Sequence, residues 1–205
     1  ARMFTRMPDY ADYLHEAIGV KSNRGWYGTD KQGYTNVLCS TSTKAAKYLA
    51  DMYSTAVRVF EPPYIHIGFD EVDMTTCSKC ISAGANNKTE WFCKHLEHCC
   101  NMAWQSIPDC AIWGDMLLKD RAIAQTLGRE HLIIYDWHYY ENVEPETSQY
   151  FRDLGFRVIA SPALVCSPNV VMPDTHCYNN ISKFARIARE LSLEGLNTTI
   201  WCPTR

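Results

Sequence analysis

The chain has 205 residues, 46% of them hydrophobic, and a formal net charge of −3. That length and apolar share support one globular core across residues 1–205, with no inter-domain linker or internal repeat. The weak acidity with scattered Lys and Arg argues against a nucleic-acid surface, and no apolar run is long enough to span a membrane.

Tyr10, Leu14 and Ile18 fall four apart and predict a short helix over residues 8–18, ended by Gly19. Residues 21–37 read as a polar, turn-rich loop with Gly25, Gly28 and Gly33. Its Trp26, Tyr27 and Tyr34 either line a cleft or pin the loop. Ser40, Thr41 and Ser42 offer N-caps for a helix to about Val59, with an apolar stripe of Ala45, Leu49, Met52, Ala56 and Val59. After Pro62 and Pro63, residues 64–72 read as a short apolar strand that runs into Asp70 and Glu71. Acids at the carboxyl end of a strand stand where α/β folds place their chemistry. Successive strand residues point to opposite faces, so two adjacent acids can take different jobs only if the strand ends there and the chain twists. Gly68 suits such a break, since a residue without Cβ admits backbone or ligand closely. The bland alternative is a solvated acidic turn.

Cys77-Ser78-Lys79-Cys80 follows, then Cys93, His95, His98, Cys99 and Cys100. A structural zinc held in part by Cys77 and Cys80, disulfides, or plain thiols all fit this pattern. A helix is predicted over residues 90–105 with Phe92, Leu96 and Ala103 on its apolar side, leaving His95 and His98 as satisfied surface or core side chains. Residues 110–118 read as a strand, 120–127 as a short helix, and 132–140 as a strand buried on both faces. At its end Trp137 is a candidate pocket wall, with His138 and Tyr139 as polar contacts, unless these rings merely pack a rim. A helix over 147–154 stops at Gly155, a C′ residue. A strand over 156–162, a helix over 181–191 with Phe184, Ile187, Ala188 and Leu191 in register, and a strand over 195–202 complete the chain. Strand and helix alternate from residue 40 onward, which calls for right-handed crossovers and a parallel sheet.

His66-Ile67-Gly68-Phe69-Asp70-Glu71-Val72 resembles the H-x-G-G-D-E motif of family 20 glycoside hydrolases, the β-N-acetylhexosaminidases. Phe69 departs from it, standing where the family usually has a second glycine. Looser likeness runs from about Met7 to the C-terminus, including the run from residues 38–40 through the helix into the motif strand. The resemblance implies an α/β fold, a TIM (β/α)8 barrel. Of its eight strands about five are visible, corresponding to strands four to eight, so the chain reads as a partial barrel without the first three. It has no initiator Met and no charged-then-apolar leader, and starts as if cut from something longer.

For the chemistry, the resemblance implies hydrolysis of terminal β-linked N-acetylhexosamine, GlcNAc or GalNAc, from a glycan. The mechanism implied is retaining and substrate-assisted, in which the 2-acetamido oxygen attacks C1 and forms an oxazolinium. Glu71 is then general acid and base, and Asp70 holds the acetamido N–H. Two adjacent carboxylates can divide labour this way because the charge of one raises the pKa of the other. His66 stands behind the acids, and Trp113, Trp137 and Trp201 box the sugar, with Asp115 and Tyr139 as polar contacts. The family's Tyr-x-Asp near the seventh strand cannot be placed, and Asp174, His176 and Tyr178 are the candidates to replace it. No cofactor and no catalytic metal are implied, and the partner is a carbohydrate rather than nucleic acid or membrane. Ten cysteines and N-x-[ST] sequons at Asn87, Asn180 and Asn197 lean toward a secreted or lysosome-like route, although Asn197 is expected inside a buried strand. The competing readings are a non-catalytic glycan-binding relative, an inactive fragment, and a zinc-stabilised interaction module built on residues 77–100.

Overall fold

The computed structural model describes residues 14–16, 34–72, 77–165 and 175–201, with backbone only at 14–16, 34–37 and 165. Trp26, Tyr27 and Asp174 therefore lie outside the described residues, as do the sides of the helix expected over 8–18. The described residues fall into two compact units. One takes in those up to Ile65 together with Glu71–Pro108, the other His66–Asp70 and those from Asp109.

In the first unit, β1 (Leu14–Glu16) and β2 (Tyr34–Leu38) form an antiparallel pair with Leu14 opposite Leu38. This corrects both the helix expected around Leu14 and the loop expected up to Val37. A spacing of four is compatible with alternation as well as with a helix, and Tyr34, Thr35 and Val37 are the aromatic and β-branched types that fit a pleated strand. Helix α1 (Thr43–Phe60) starts as expected, with the Ser42 side chain accepting from the Ala45 N–H at 3.1 Å. Its buried line differs: Ala45 and Tyr53 are buried while Met52 and Val59 are exposed. Tyr53 sits two full turns from Ala45, and its large ring outweighs the linear Met as the side chain drawn inward. The helix ends at Glu61, in the left-handed region at φ 45°, with Pro62 and Pro63 barring continuation. Helix α2 (Ser78–Ser82) is one short turn, and α3 (Lys88–Trp104) is capped by Asn87, whose Oδ1 accepts from the Glu90 N–H at 3.2 Å. Phe92, Leu96 and Ala103 are buried on α3 as the periodicity predicts, and α3 packs against α1.

The second unit is built on a sheet in the order β3 (Ile65–His66), β4 (Cys110–Trp113), β5 (Leu132–Trp137), β6 (Arg157–Ser161) and β8 (Gly195–Leu196). The chain beyond β3 continues along β4, with Ile67 N–H donating to Ala111 O and Trp113 N–H to Gly68 O, both advancing in the same direction. The remaining pairs are parallel. Ile112, Ile134 and Ala160 are fully buried, as expected of strands covered on both faces. Helices α4 (Asp115–Lys119), α5 (Arg121–Thr126), α6 (Glu146–Asp153) and α7 (Thr175–Glu190) alternate with the strands. Phe184, Ile187 and Ala188 of α7 close on Ala160 and Val143.

Besides the strand read over 64–72, of which only Ile65–His66 is regular, three expected strands end early. The strand read over 110–118 stops at Trp113, and at Gly114 a Cβ would sit 2.9 Å from Ile134 Cγ2 and Phe151 Cε2, so only glycine fits that close approach. From Gly114, the N-cap, the chain enters α4. The strand read over 132–140 stops at Trp137. The strand read over 195–202 is two pieces, β8 beside β6 and β9 (Thr199–Ile200) beside β7 (Ala163–Val165). Asn197 lies between the pieces and is exposed, not buried. Helix α7 begins at Thr175, six residues before the apolar register at Ile181, so His176 and Tyr178 are helical rather than loop residues.

Candidate active site

The end of β3 is where the chain breaks its own strand. Gly68 has φ 86°, Phe69 φ 73° and Glu71 φ 50°. For an L-residue with a side chain this region costs roughly 1–2 kcal/mol, and a bulky aromatic is rare there. The twist that two adjacent acids need is thus present in the backbone. Strain of this kind persists where surrounding structure imposes it and gathers at functional sites.

Hydrogen bonds define the turn from within. The Gly68 N–H donates to His66 Nδ1 at 3.1 Å. That makes Nδ1 an acceptor and puts the ring proton on Nε2 in the neutral imidazole. Burial holds the imidazole neutral by pushing its pKa down to about 4. Nε2 is buried and has no hydrogen-bond partner among the described residues. His66 therefore carries an unspent donor at the base of the turn. Its ring packs against Trp113 at 4.5 Å and edge-on to Tyr135 at 4.7 Å.

Asp70 is exposed, but enough protein crowds its carboxyl that burial raises the pKa. A hydrogen bond to its own backbone opposes the rise and the like charge of Asp115 adds to it. Asp115 is the first residue of α4 and accepts from Trp137 Nε1–H at 3.3 Å. Trp137 stacks on Tyr139 at 5.0 Å and 25°. The Tyr139 hydroxyl accepts from Trp201 Nε1–H at 2.7 Å, and Trp201 lies 6.0 Å from Trp113. The contacts return through Trp113 to His66. His66, Trp113, Asp115, Trp137, Tyr139 and Trp201 are thus linked by contact at one end of the sheet, with Asp70 within electrostatic reach of Asp115. Glu71 follows Asp70 in the chain, is exposed, and opens the next stretch of the first compact unit.

Such a cluster offers flat aromatic faces to the C–H-rich side of a pyranose, acids to its hydroxyl and amide groups, and a neutral donor. Tyr135, buried and edge-on to both His66 and Trp113, is part of it and was not singled out from the sequence. Alternation along Leu132–Trp137 carries the signal, since Tyr135 and Trp137 share a side and Asp136 takes the other.

His138 does not serve as a polar contact of this cluster. It belongs to the Asp136 side, with Nε2 at 2.8 Å from Thr147 Oγ1 and Nδ1 at 3.1 Å from the Tyr140 hydroxyl. Asp136 is fully buried and Oδ2 accepts from Thr147 and Ser148, while Oδ1 lies 3.1 Å from His138 Nε2 without hydrogen-bond alignment. His176 and Tyr178 do not replace the missing Tyr-x-Asp either. Tyr178 is exposed, and His176 Nε2–H donates to the backbone oxygen of Tyr139 at 3.1 Å. Asn180 is fully buried and donates to the backbone oxygens of His138 and Tyr140, while its Oδ1 accepts from the Ala163 N–H. α7 therefore clamps the loop that carries Tyr139, and the sequon at Asn180 is a packed structural amide in the folded chain.

The sequence model described as glycosyl hydrolase family 20, catalytic domain, matches residues 5–180. The match includes every clustered residue except Trp201. No curated protein sequence matches the chain.

Proposed function

The chain belongs to glycosyl hydrolase family 20, whose catalytic domain is a TIM barrel, and from that premise we propose that it removes terminal β-linked N-acetylhexosamine from glycans by substrate-assisted catalysis. The five strands of the parallel sheet correspond in this reading to strands four to eight of the family barrel. The observation that supports the proposal is the left-handed turn after β3, which leads into Asp70, within electrostatic reach of the Asp115 that accepts from Trp137.

The substrate's acetamido oxygen attacks C1 as Glu71 gives its proton to the departing glycosidic oxygen. An oxazolinium forms, and Glu71, now a carboxylate, takes a proton from the water that attacks C1 and reopens the ring. The configuration at C1 is retained. Asp70 accepts the acetamido N–H and faces the positive charge as it develops. The desolvation that raises its pKa also strengthens that attraction, because fewer waters screen it. Trp113, Trp137 and Trp201 supply the apolar walls, and His66 holds the turn through Nδ1 while its Nε2–H is left for a bound water behind the acids.

The test is turnover of a chromogenic N-acetyl-β-glucosaminide and of an unactivated glycan by the full chain and by Glu71→Gln. Loss of the general acid lowers turnover of the unactivated glycan by at least about 10²-fold, with a smaller effect where the aglycone needs no protonation. Near-normal hydrolysis of the glycan by Glu71→Gln removes Glu71 from the mechanism. Binding of N-acetylglucosamine with no hydrolysis of either substrate supports the glycan-binding reading instead.

A further inference from the structure

A second centre of chemistry lies in the first compact unit. The Sγ atoms of Cys39, Cys77 and Cys80 lie within 4.8 Å of one another, and all three residues are buried. Cys39 stands between β2 and α1, while Cys77 and Cys80 flank the first turn of α2. The sequence pairs Cys77 with Cys80 by their spacing, but nothing in it points to Cys39, which is 38 residues away.

We propose that Cys39, Cys77 and Cys80 are the ligands of a structural zinc ion, bound as three thiolates, with a light-atom donor such as water in the fourth position. The Cys39 Sγ is 3.7 Å from that of Cys77 and 3.8 Å from that of Cys80. A tetrahedral zinc with Zn–S of about 2.3 Å sets its sulfurs about 3.8 Å apart. A disulfide requires about 2.05 Å, and pairing any two of the three leaves an odd thiol in the same closed space. Zinc uses all three.

The surroundings are those of thiolate ligands. Trp91 Nε1–H donates to Ser40 Oγ at 2.9 Å, and Ser40 Oγ lies 3.2 Å from Cys80 Sγ, within reach to donate to a thiolate there. Thr41 Oγ1 is 3.1 Å from Cys39 Sγ. Hydroxyls at such distances can donate to metal-bound sulfurs, orienting them and offsetting their charge. Ala85 and Trp91 pack the outside of the cluster. Among the described residues neither His95 nor His98 joins it, so the ligand set differs from one drawn from the Cys and His residues of α3. Binding releases the thiol protons and closes the chain between residues 39 and 77. The metal site is independent of the glycosidase reading and stands or falls by itself.

The full chain, purified under reducing conditions from zinc-supplemented cells, is assayed for metal by elemental analysis. About one zinc per chain is expected, released as a mercurial titrates the thiols. Replacing zinc with cobalt gives thiolate-to-cobalt charge-transfer bands in the near ultraviolet and intense tetrahedral bands in the red. Cys39→Ser and Cys80→Ser lose the zinc, and Cys93→Ser on α3 keeps it. If the first two variants do not fold, the stoichiometry and cobalt spectrum of the unaltered chain still decide. A metal-poor protein that has reactive thiols and takes up no cobalt with those bands overturns the proposal, leaving three packed thiols. A mapped disulfide between Cys39 and either partner overturns it as well.

Discussion

Phe69 concentrates the question of how one residue bears on the site. It holds φ 73°, a conformation that suits glycine, and glycine is what the resembled motif carries at this place. Replacing Phe69 with Ala and with Gly removes the same ring, but only Gly also relieves the backbone. Phe69→Gly is therefore expected to be more stable than Phe69→Ala by about 1 kcal/mol, the left-handed cost less the extra freedom of Gly in the unfolded chain. Urea denaturation of the two variants measures the difference, and equal midpoints at equal slopes would show that the turn is not held in this conformation. The acids at 70 and 71 were legible in the sequence because carboxylates at a strand end are read from residue type alone. The twist that separates them was not, since a phenylalanine advertises no left-handed φ. Cys39 was hidden for a related reason: its partners are close in space and distant in sequence.

At the scale of elements, the strands were legible where apolar runs fill them, as in Leu132–Ile134, and their ends were not. β4 ends against Gly114, where any side chain would meet Ile134 and Phe151, which lie 20 and 37 residues further along. No local pattern contains that information. The same holds for α7, whose first turns carry polar residues and so lack the periodicity that marks residues 181–191. Those turns nonetheless do work for the site, because Asn180 bonds the backbone of His138, Tyr140 and Ala163. Asn180→Ala leaves these buried backbone groups without partners at roughly 1–3 kcal/mol for an unsatisfied group. The expected result is a loss of stability of about 2–3 kcal/mol and a raised KM for any glycan that contacts Tyr139. Thermal melting and steady-state kinetics of the variant measure both. Unchanged melting with unchanged KM would show that the clamp carries no load.

For the whole molecule, the regular alternation of strand and helix was enough to foresee a parallel sheet, since right-handed crossovers leave few other arrangements. The division into two compact units was not foreseen, because no Gly-, Pro- or Ser-rich linker marks it. The candidate site draws on segments spread along the second unit: the end of β3, the start of α4, the end of β5 and the residue after β9. Their convergence bears on the choice between two ways of cleaving a glycoside. If the acetamido group is the nucleophile, Asp70 orients it and forms no bond to the sugar. A thiazoline that mimics the bicyclic intermediate is then expected to bind much more tightly than N-acetylglucosamine, as ligands resembling a transition state do. Asp70→Asn weakens that preference, since the cationic ring loses its anionic partner in a site where burial already raises the Asp70 pKa. Sugars with a 2-hydroxyl in place of the acetamido are hydrolysed very poorly. A mechanism-based 2-fluoro glycoside, followed by mass spectrometry of the intact chain, separates the alternatives. No adduct is expected, because neither acid attacks C1. A stable glycosyl group on Asp70 or Glu71 would replace substrate assistance with a protein nucleophile and make the adjacent acids the two-carboxylate pair of an ordinary retaining enzyme.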